Sequence, residues 1–325
     1  MSAPVPAVRR ALAIALAVAA LAASAQAQDY PSKPLRLLVP FSPGGGTDII
    51  ARALGQHLAG VFGQPVVIDN RPGGNTVIAT DLAVNARPDG YTLLMQINTL
   101  TALPAMAKPG DKVIALSDLT PVSLVAILPH VLVVNRNVQA TSLRELVTLA
   151  KQSPVKLLSG IPGAGTPVHL ASAWFASLAG IQLTHVPYKG AAEYTTAVLS
   201  GEVQMVFGSV STALPHVRSG ALKALGVTTA KRARQLPEVP TIAESGFAGY
   251  DISSWYGLLA PAKTPQAVIA RLADETARAV RIKAFEDRLQ EYELIGNTPA
   301  QFAEFLRKDA AISLKIIAQS GAKLE

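Results

Sequence analysis

The sequence predicts an α/β protein of two lobes, each a doubly wound, mostly parallel sheet flanked by helices. Short apolar runs of strand length alternate with segments of helical spacing along most of the chain. An apolar strand followed by Pro-Gly-x-Gly-Thr and a helix occurs twice, beginning its turn at Pro43 and again at Pro162. Beyond its N-terminal segment the chain has about 300 residues, enough for two domains of ordinary size. Each copy of the repeated pattern can therefore open a lobe of its own.

The N-terminus has the three parts of a signal peptide. Arg9-Arg10 precedes a wholly apolar run, Ala11–Ala23, and Ala25–Ala27 provides the small residues that signal peptidase prefers. The sequence thus predicts that residues 1–27 are removed on export. The apolar run is too short to span a bilayer as a helix. The paired arginines fit the general secretory route, which we favour, and also the twin-arginine route.

The composition excludes several kinds of site. The chain has no cysteine, which excludes disulfides, thiol nucleophiles and thiolate metal sites. Its formal net charge of +7 favours anionic partners only mildly. The densest basic run, residues 231–234, has no interleaved aromatic residues, so we expect no nucleic-acid partner.

Three strands and two helices are predicted for the first lobe. The strands end in glycine or polar loops, which a parallel sheet places at one edge, where ligands bind. The elements are a strand Leu35–Val39, a helix from Thr47 to about Phe62 that Gly63 ends, a strand Val66–Ile68, a helix Val77–Asn85 and a strand Tyr91–Met95. The loops at the edge are Phe41–Asp48, Gly73–Thr76 and Gln96–Thr101.

The chain then crosses into a second lobe of the same plan. Asp118–Ala126 and Val131–Val134 are extended around Pro129, which predicts a strand shared by the two lobes, with a simple edge strand as the alternative. The second lobe is predicted to contain helices Leu143–Ala150, Pro167–Ala179, Ala191–Leu199 and Ser211–Arg218, and strands Lys156–Leu158, Thr184–Val186, Gln204–Phe207 and Lys223–Val227. Its strands are followed by small or glycine-bearing loops, Gly160–Gly163, Tyr188–Gly190 and Gly208–Ser209.

The C-terminal part is expected to return to the first lobe. A strand Ser254–Ala260 is followed by helices Pro265–Val280, Ile282–Leu289 and Pro299–Gln319, which cannot form a lobe without a sheet. We therefore assign residues 28–127 and 252–325 to the first lobe and 128–251 to the second. The two crossings near residues 127 and 251 would act as a hinge that opens and closes a cleft.

Both glycine loops have the chemistry of an anion site. The glycines bring backbone N–H groups to a helix N-terminus, where partial positive charge collects, and Thr47 or Thr166 can cap the following helix. Two such ends facing each other would hold an anion between the lobes. Either loop alone is equally explained as a tight strand-to-helix turn, and the repetition favours the anion site.

Several side chains near these loops have two interpretations. Asp48 either stabilises the first turn of its helix or selects the ligand, by binding an ammonium group or opposing a second anion. His169 either lines the cleft or makes a structural hydrogen bond. Tyr188 and Lys189 either place a hydroxyl and a cation in the cleft or lie on the surface. Phe41, at a strand end, is expected to cover an aliphatic ligand body.

The sequence contains no recognisable constellation for catalysis. Its five histidines lack metal-ligand spacing, and no Gly-x-Ser-x-Gly elbow offers a nucleophilic serine. The glycine loops lack the lysine of a nucleotide P-loop and the spacing of a dinucleotide loop. The sequence therefore predicts a binding protein without metal or cofactor, with a secreted enzyme that uses a two-lobed cleft as the weaker alternative.

A series of motifs points to one family. In chain order they are Tyr30–Pro34, Val39–Asp48, Asn70–Asn75, Pro88–Leu94, Leu119–Val122, Val186–Gly190, Pro237–Gly246 and Trp255–Pro261. Over its whole mature length the chain resembles the substrate-binding receptors of tripartite tricarboxylate transporters, the Bug-type periplasmic proteins.

This resemblance implies a type II periplasmic-binding-protein fold, also called a Venus flytrap. It implies capture of a small mono-, di- or tricarboxylate, or an acidic or aromatic acid, which is presented to membrane transporter subunits or alternatively to a membrane sensor. We expect the protein to be a monomer. It further implies that loop backbone groups and ordered water near Phe41–Asp48 and Ser159–Thr166 hold the ligand carboxylate, in place of an arginine clamp.

The residues expected to contact the ligand come from these loops. They are Phe41, Ser42, Gly44, Gly45, Gly46, Thr47, Asp48, Asn75, Thr76, Thr99, Ser159, Gly160, Gly163, Ala164, Gly165, Thr166, His169, Tyr188, Lys189, Gly208 and Ser209. Two segments depart from the family pattern. Gly208-Ser209 stands where family members often carry an acidic residue, and Leu103–Met106 replaces a fuller Asn-Pro stretch. Both departures bear on which ligand is bound.

Overall fold

The computed structural model describes residues 30–107, 110, 112–152, 157–188 and 190–320. The predicted signal peptide, residues 1–27, and the candidate Lys189 lie outside this part of the chain. No helix within it is long and apolar enough to cross a membrane.

The first lobe is built around three parallel strands. Its elements are β1 (Leu35–Val39), α1 (Gly46–Phe62), β2 (Val66–Asn70), α2 (Val77–Val84), β3 (Thr92–Gln96) and α3 (Thr99–Met106). The middle strand, β1, pairs in parallel with β2 and β3, because each helical connection returns the chain to the same end of the sheet. Leu37 and Leu38 of β1 are both fully buried, in different core clusters. Helices therefore cover both faces of this sheet.

One long strand, β4 (Leu119–Asn135), joins the two lobes. As far as Pro129 it pairs antiparallel with β9 (Ser253–Pro261), and from His130 onward it pairs with strands of the second lobe. The predicted strand shared by both lobes is thereby confirmed. The two crossing strands are also joined by a side-chain hydrogen bond, with His130 Nε2 lying 2.8 Å from Ser254 Oγ.

The second lobe repeats the plan of the first. Its elements are α4 (Leu143–Gln152), β5 (Leu157–Ile161), α5 (Pro167–Ala179), β6 (Leu183–Pro187), α6 (Ala191–Ser200), β7 (Met205–Ser209), α7 (Val210–Arg218) and β8 (Leu222–Val227). β5 pairs in parallel with β6 and β7, and β4 lies antiparallel between β7 and β8. Within each lobe the parallel strands therefore end at one edge of the sheet.

The chain ends with helices that contact both lobes. After β9 come α8 (Gln266–Ala279), α9 (Lys283–Arg288), the short β10 (Glu293–Leu294) and α10 (Pro299–Ser320). Phe302 near the start of α10 is buried with Trp255 of the first lobe, whereas Ile316 near its end is buried with Phe175 of the second. The end of α10, within the residues 252–325 assigned to the first lobe, thus also covers the core of the second.

Two local predictions are wrong. Gly160 belongs to β5, and Gly208 and Ser209 belong to β7, because these strands continue past their apolar residues into small ones. The segment from Thr99, predicted as part of a loop, forms α3, since burial of Leu100 stabilises a helix there.

Candidate functional site

The first glycine loop leads into α1 without a side-chain cap. The N-cap residue is Gly45, which is extended, and no side chain accepts a hydrogen bond from the first turn. Thr47 lies inside the helix and is buried, so the prediction that it caps α1 is wrong. The first N–H groups of a helix have no partner within it, and residues 42–45 are exposed. This end of α1 can accept an anion from solvent.

Asp48 is fixed by three donors in the first turn of α1. Its Oδ2 accepts hydrogen bonds from Gly44 N at 2.9 Å and Arg52 Nε at 2.8 Å, and its Oδ1 accepts one from Asn70 Nδ2 at 3.0 Å. Burial raises the pKa of this carboxyl, but the hydrogen bonds from Arg52, Gly44 and Asn70 outweigh burial and leave the pKa below its usual value. With both oxygens engaged, Asp48 fits the structural interpretation better than ammonium binding.

The remaining residues of this loop have different local roles. A Cβ on Gly46 would lie 2.8 Å from the Tyr292 hydroxyl and 3.0 Å from that of Tyr256, so side-chain packing requires glycine there. A Cβ on Gly45 would meet nothing closer than 3.9 Å. The carbonyl of Phe41 accepts a hydrogen bond from Asn70 Nδ2 at 2.9 Å, which ties this loop to the end of β2.

The second glycine loop is closed by its own side chains. Thr166 is the N-cap of α5 and accepts a hydrogen bond from His169 N at 3.4 Å, as predicted, while its hydroxyl donates to Gly163 O at 2.8 Å. Gly165 N donates to His169 Nδ1 at 3.1 Å. Burial, helped by His185, lowers the pKa of His169 to about 4, so its ring is neutral at pH 7 and can accept. His169 therefore makes the structural hydrogen bond that was one of its two interpretations.

Ser159 and Gly160 lie behind this loop. Ser159 is fully buried, and its hydroxyl accepts a hydrogen bond from Ser172 Oγ at 3.0 Å. A Cβ on Gly160 would lie 3.1 Å from Tyr194 Cβ, so this glycine permits close packing inside the lobe. Ala164 packs against the second-lobe core. Gly163, by contrast, adjoins open space, because no atom lies within 4 Å of the position its Cβ would take.

Tyr188 is held by a partner in its own lobe. Its hydroxyl donates to Glu202 Oε1 at 2.7 Å, and burial together with Glu202 raises its pKa to about 12. This phenol is therefore a neutral donor engaged with an acid, as in the surface interpretation.

A carboxylate from the first lobe reaches the end of β7. Ser209 is the N-cap of α7 and accepts a hydrogen bond from Thr212 N at 3.2 Å. Ser211 in the same turn donates to Glu291 Oε2, which belongs to the segment before β10. The sequence has no acid at Gly208-Ser209, and the fold supplies one there from Glu291. Sequence reasoning missed this residue because nothing in the local pattern marks a contact between such distant segments.

A cavity of about 320 Å³ lies between α2 and α3, next to the segments that follow β2 and β3. The predicted site residues Asn75, Thr76 and Thr99 all line it, so the structure brings this group together. The hydroxyls of Thr76 and Thr99 lie 3.1 Å apart. The cavity itself was not foreseen, because α3 was not predicted as a helix.

The two lobes touch next to this cavity. A Cβ on Gly165 of the second glycine loop would lie 3.1 Å from Met106 Sδ, at the end of α3. Met106 is buried in the same cluster as Val168 at the start of α5. The end of α3 therefore stands between the cavity and the second glycine loop. In the described part of the chain, no group of three or more His, Asp or Glu side chains could hold a metal ion.

Comparison with known proteins identifies the family. Residues 50–321 match the TctC family, described as the tripartite tricarboxylate transporter family receptor. The chain therefore belongs to this family of solute-binding receptors. It is similar to the UPF0065 protein in the tcbD-tcbE intergenic region of Pseudomonas sp. (strain P51), with 36% identity over 297 residues that cover 89% of this chain and 87% of that protein.

Solved structures of similar fold are periplasmic binding proteins and their relatives. BugD, a periplasmic binding protein, matches with a TM-score of 0.76 and 27% identity over 91% of this chain and 100% of its own. Rpa4515 of R. palustris, solved with adipate, matches with a TM-score of 0.78 and 31% identity over 91% and 100%. MatC from Rhodopseudomonas palustris, solved with bound malate, matches with a TM-score of 0.75 and 26% identity over 89% and 100%.

These findings confirm the predicted family and fold class. Members of this family are periplasmic binding proteins, in line with the predicted export of this chain. The ligand contacts of the individual residues, and the exact limits of the two lobes and the hinge, stay predictions.

Proposed function

We propose that this protein captures a small carboxylate between its two lobes in the periplasm and delivers it to the membrane subunits of a tripartite tricarboxylate transporter. The observation that carries this proposal is the uncapped, exposed N-terminus of α1 at the carboxyl end of β1. Export through the predicted signal peptide, residues 1–27, belongs to the same proposal, as does action as a monomer.

The charge distribution at α1 supports an anionic ligand. The buried Asp48 is paired with Arg52, so its negative charge is largely compensated and the helix N-terminus keeps its positive potential. Hydrogen bonds from backbone N–H groups to a carboxylate are charge-assisted and contribute roughly 1.5–3 kcal/mol each. The second glycine loop, with open space at Gly163, would close on the other side of the same carboxylate.

The ligands of similar structures support the same chemical class. Rpa4515 was solved with adipate and MatC with malate, both of them small carboxylates. Malate carries a hydroxyl group and adipate does not, so the two structures support a carboxylate group as the common feature of the ligand. The rest of the ligand has to be inferred from the residues of this chain.

A thermal-shift screen tests the proposal directly. The mature chain, residues 28–325, is unfolded and refolded to remove carried-over ligand, then heated with carboxylates, with their amides and with neutral analogues. A ligand at a hundred times its Kd stabilises by about 2.7 kcal/mol. We expect carboxylates to raise the Tm and the matched amides to have no effect. Stabilisation by neutral compounds only, or by none of the panel, would contradict the proposal.

Delivery is tested separately, with the transporter. Membrane vesicles that contain the membrane subunits of a tripartite tricarboxylate transporter should take up the radiolabelled carboxylate only when the ligand-loaded protein is added. A carboxylate that binds tightly but is never taken up would show that the partner is not this transporter.

A further inference from the structure

We propose that the cavity between α2 and α3 receives the hydrocarbon body of the ligand. The protein would then select carboxylates with an aliphatic or aromatic body over short hydroxylated di- and tricarboxylates. This inference rests on the proposed function, because it assumes that the carboxylate itself is held at the glycine loops.

Most of the wall of the cavity is apolar. Val77 of α2, Leu100 and Leu103 of α3, and Val113 and Ile114 of the following segment line it. Such a lining favours hydrocarbon, since transfer of apolar surface from water is favourable and an unpaired polar group would be costly.

The threonine hydroxyls in the wall are already engaged in hydrogen bonds. Gln96 Nε2 donates to Thr80 Oγ1 at 2.8 Å and to Thr76 Oγ1 at 3.2 Å. Thr80 Oγ1 in turn donates to Thr76 O at 2.8 Å, and the hydroxyl of Thr76 is within 3.1 Å of that of Thr99. On the rim, Lys112 is paired with Asp81. A hydroxylated ligand body would have to compete with these existing hydrogen bonds, whereas a hydrocarbon body needs no hydrogen-bond partner.

The position of the cavity links it to the cleft. Leu103, in its wall, belongs to the same short helix as Met106, which touches Gly165 of the second glycine loop. On the other side, the segment that holds Asn75 follows directly from β2, whose last residue, Asn70, is bonded to the first glycine loop. The cavity therefore lies beside the segments that follow β2 and β3, at the same edge of the sheet as the first glycine loop, and the end of α3 separates it from the second.

The backbone at the cavity is held in an unusual conformation. Asn75 has φ of 49° and Thr76 has φ of 76°, in the left-handed region that a β-branched residue rarely adopts. Such strain is unfavourable and tends to persist where a ligand site requires it. At this site it places the turn before α2 against the cavity.

The volume sets the size of the ligand body. A cavity of about 150 Å³ lined by apolar side chains accepts benzene, and this one has about 320 Å³. It can therefore hold a phenyl ring or a medium-length alkyl chain. Leu103 and Pro104 form part of one wall of the cavity, and Met106 at the end of the same helix makes the contact with the second lobe.

The test is a series of acids with increasing hydrocarbon content, measured by titration calorimetry on the refolded mature protein. The series is acetate, butyrate, hexanoate and benzoate, with malate and citrate as hydroxylated acids. We expect the affinity to rise about fourfold for each added methylene, the factor that corresponds to burial of one CH₂ group. We also expect hexanoate and benzoate to bind more tightly than malate and citrate.

Two variants and one control connect the effect to the cavity. Leu103→Trp fills the cavity and should weaken hexanoate at least tenfold while leaving acetate unchanged. Val77→Ala enlarges it and should shift the optimum to longer acids. Leu82→Trp adds the same ring on the outer face of α2, where Leu82 is 39% exposed, and should behave like the wild type.

The outcomes separate this inference from the proposed function. An affinity that does not depend on hydrocarbon length, or preferential binding of malate or citrate, overturns the inference and leaves the carboxylate receptor standing. An unchanged length dependence in both cavity variants also overturns it. Failure of every carboxylate to bind the wild type overturns the proposed function and this inference together.

Discussion

The two glycine loops have nearly the same sequence and yet different structures. Pro43–Thr47 and Pro162–Thr166 align letter for letter except at Gly45 and Ala164. In the first copy the helix begins at Gly46 and its threonine lies inside the helix, whereas in the second the helix begins only after Thr166.

The next residue explains this difference. Pro167 follows the second threonine, and proline is favoured at the first helical position because it has no N–H to satisfy. Asp48 follows the first threonine, and its carboxylate reaches back to Gly44 N, which stabilises an earlier start of the helix. The first loop therefore presents open N–H groups, while the second is closed by Thr166 and His169. We infer that the first loop provides most of the binding and the second completes the enclosure.

The largest expected effect is loss of binding in Gly45→Val. Gly45 has φ of −80° and ψ of 168°, which valine adopts without strain, and its Cβ would meet nothing closer than 3.9 Å. The new side chain would occupy the space of the carboxylate, so we expect affinity to fall at least about 100-fold, or roughly 2.7 kcal/mol. Calorimetry measures this fall, and the Tm without ligand should stay unchanged.

The matched control for this variant lies at the other end of the same helix. Gly60→Val introduces an identical side chain at an exposed position with nothing within 4 Å. It should bind like the wild type. Normal binding by Gly45→Val would show that α1 does not hold the carboxylate, and the comparison of the loops would lose its functional meaning.

The second loop should make the stability of the protein depend on acid pH. The pKa of His169 is lowered to about 4, against about 6.5 in an unfolded chain. Between these values the unfolded state binds more protons, so stability falls as the pH falls through this window. His169→Gln keeps an acceptor for Gly165 N without titrating. Between pH 7 and pH 4.5, we expect the free energy of unfolding to fall by about 2–3 kcal/mol less in this variant than in the wild type.

Urea unfolding at the two pH values measures this difference. Burial also lowers the pKa of His130 to about 4, but that residue is present in both proteins and its contribution cancels. Equal losses in the wild type and His169→Gln would mean that the imidazole is not the neutral acceptor that closes the second loop.

The first loop should also make the stability depend on pH, but in a different pH range. Folding lowers the pKa of Asp48 below its usual value. The stability that this carboxylate contributes is therefore fully present above its pKa in the unfolded chain, about 4, and is lost as the pH falls through its pKa in the folded protein. Asp48→Asn removes the charge-assisted bonds from Gly44 and Arg52 and should cost about 2 kcal/mol at pH 7. Asp89→Asn, at an exposed pair with Lys33, is the control and should change the unfolding free energy by well under 1 kcal/mol, as for surface ion pairs. A cost for Asp48→Asn no larger than that of the control would indicate that Asp48 is free to face the ligand.

The sequence predicted the architecture better than the roles of single residues. Apolar runs such as Leu35–Val39 and the capped, proline-started helix Pro167–Ala179 were predicted to the residue, because burial and local capping chemistry both determine them. The strand shared by the lobes was predicted because extended residues continue on both sides of Pro129. These features depend on local pattern, which one sequence displays.

The site was predictable only as far as its loops. The pairing of His169 with Gly165 and of Asp48 with Asn70 depends on which side chains meet after folding. The contact of Glu291 with Ser211 joins segments 80 residues apart. The cavity between α2 and α3 also needs the packed helices, since no periodicity in the sequence marks an empty space. Long-range packing determines all of these, and it leaves no local signature.

The smallest expected effect isolates the role of the two threonines. Thr166→Val removes the N-cap oxygen of α5 at constant shape and should cost about 1 kcal/mol of stability, because His169 N and Gly163 O lose their partner. Thr47→Val makes the same exchange inside α1, where no side chain caps the helix, and should change the unfolding free energy by less than half as much. Urea unfolding of the two variants at pH 7 measures both. Equal costs would mean that the two threonines act alike and that the loops differ less than their hydrogen bonds indicate.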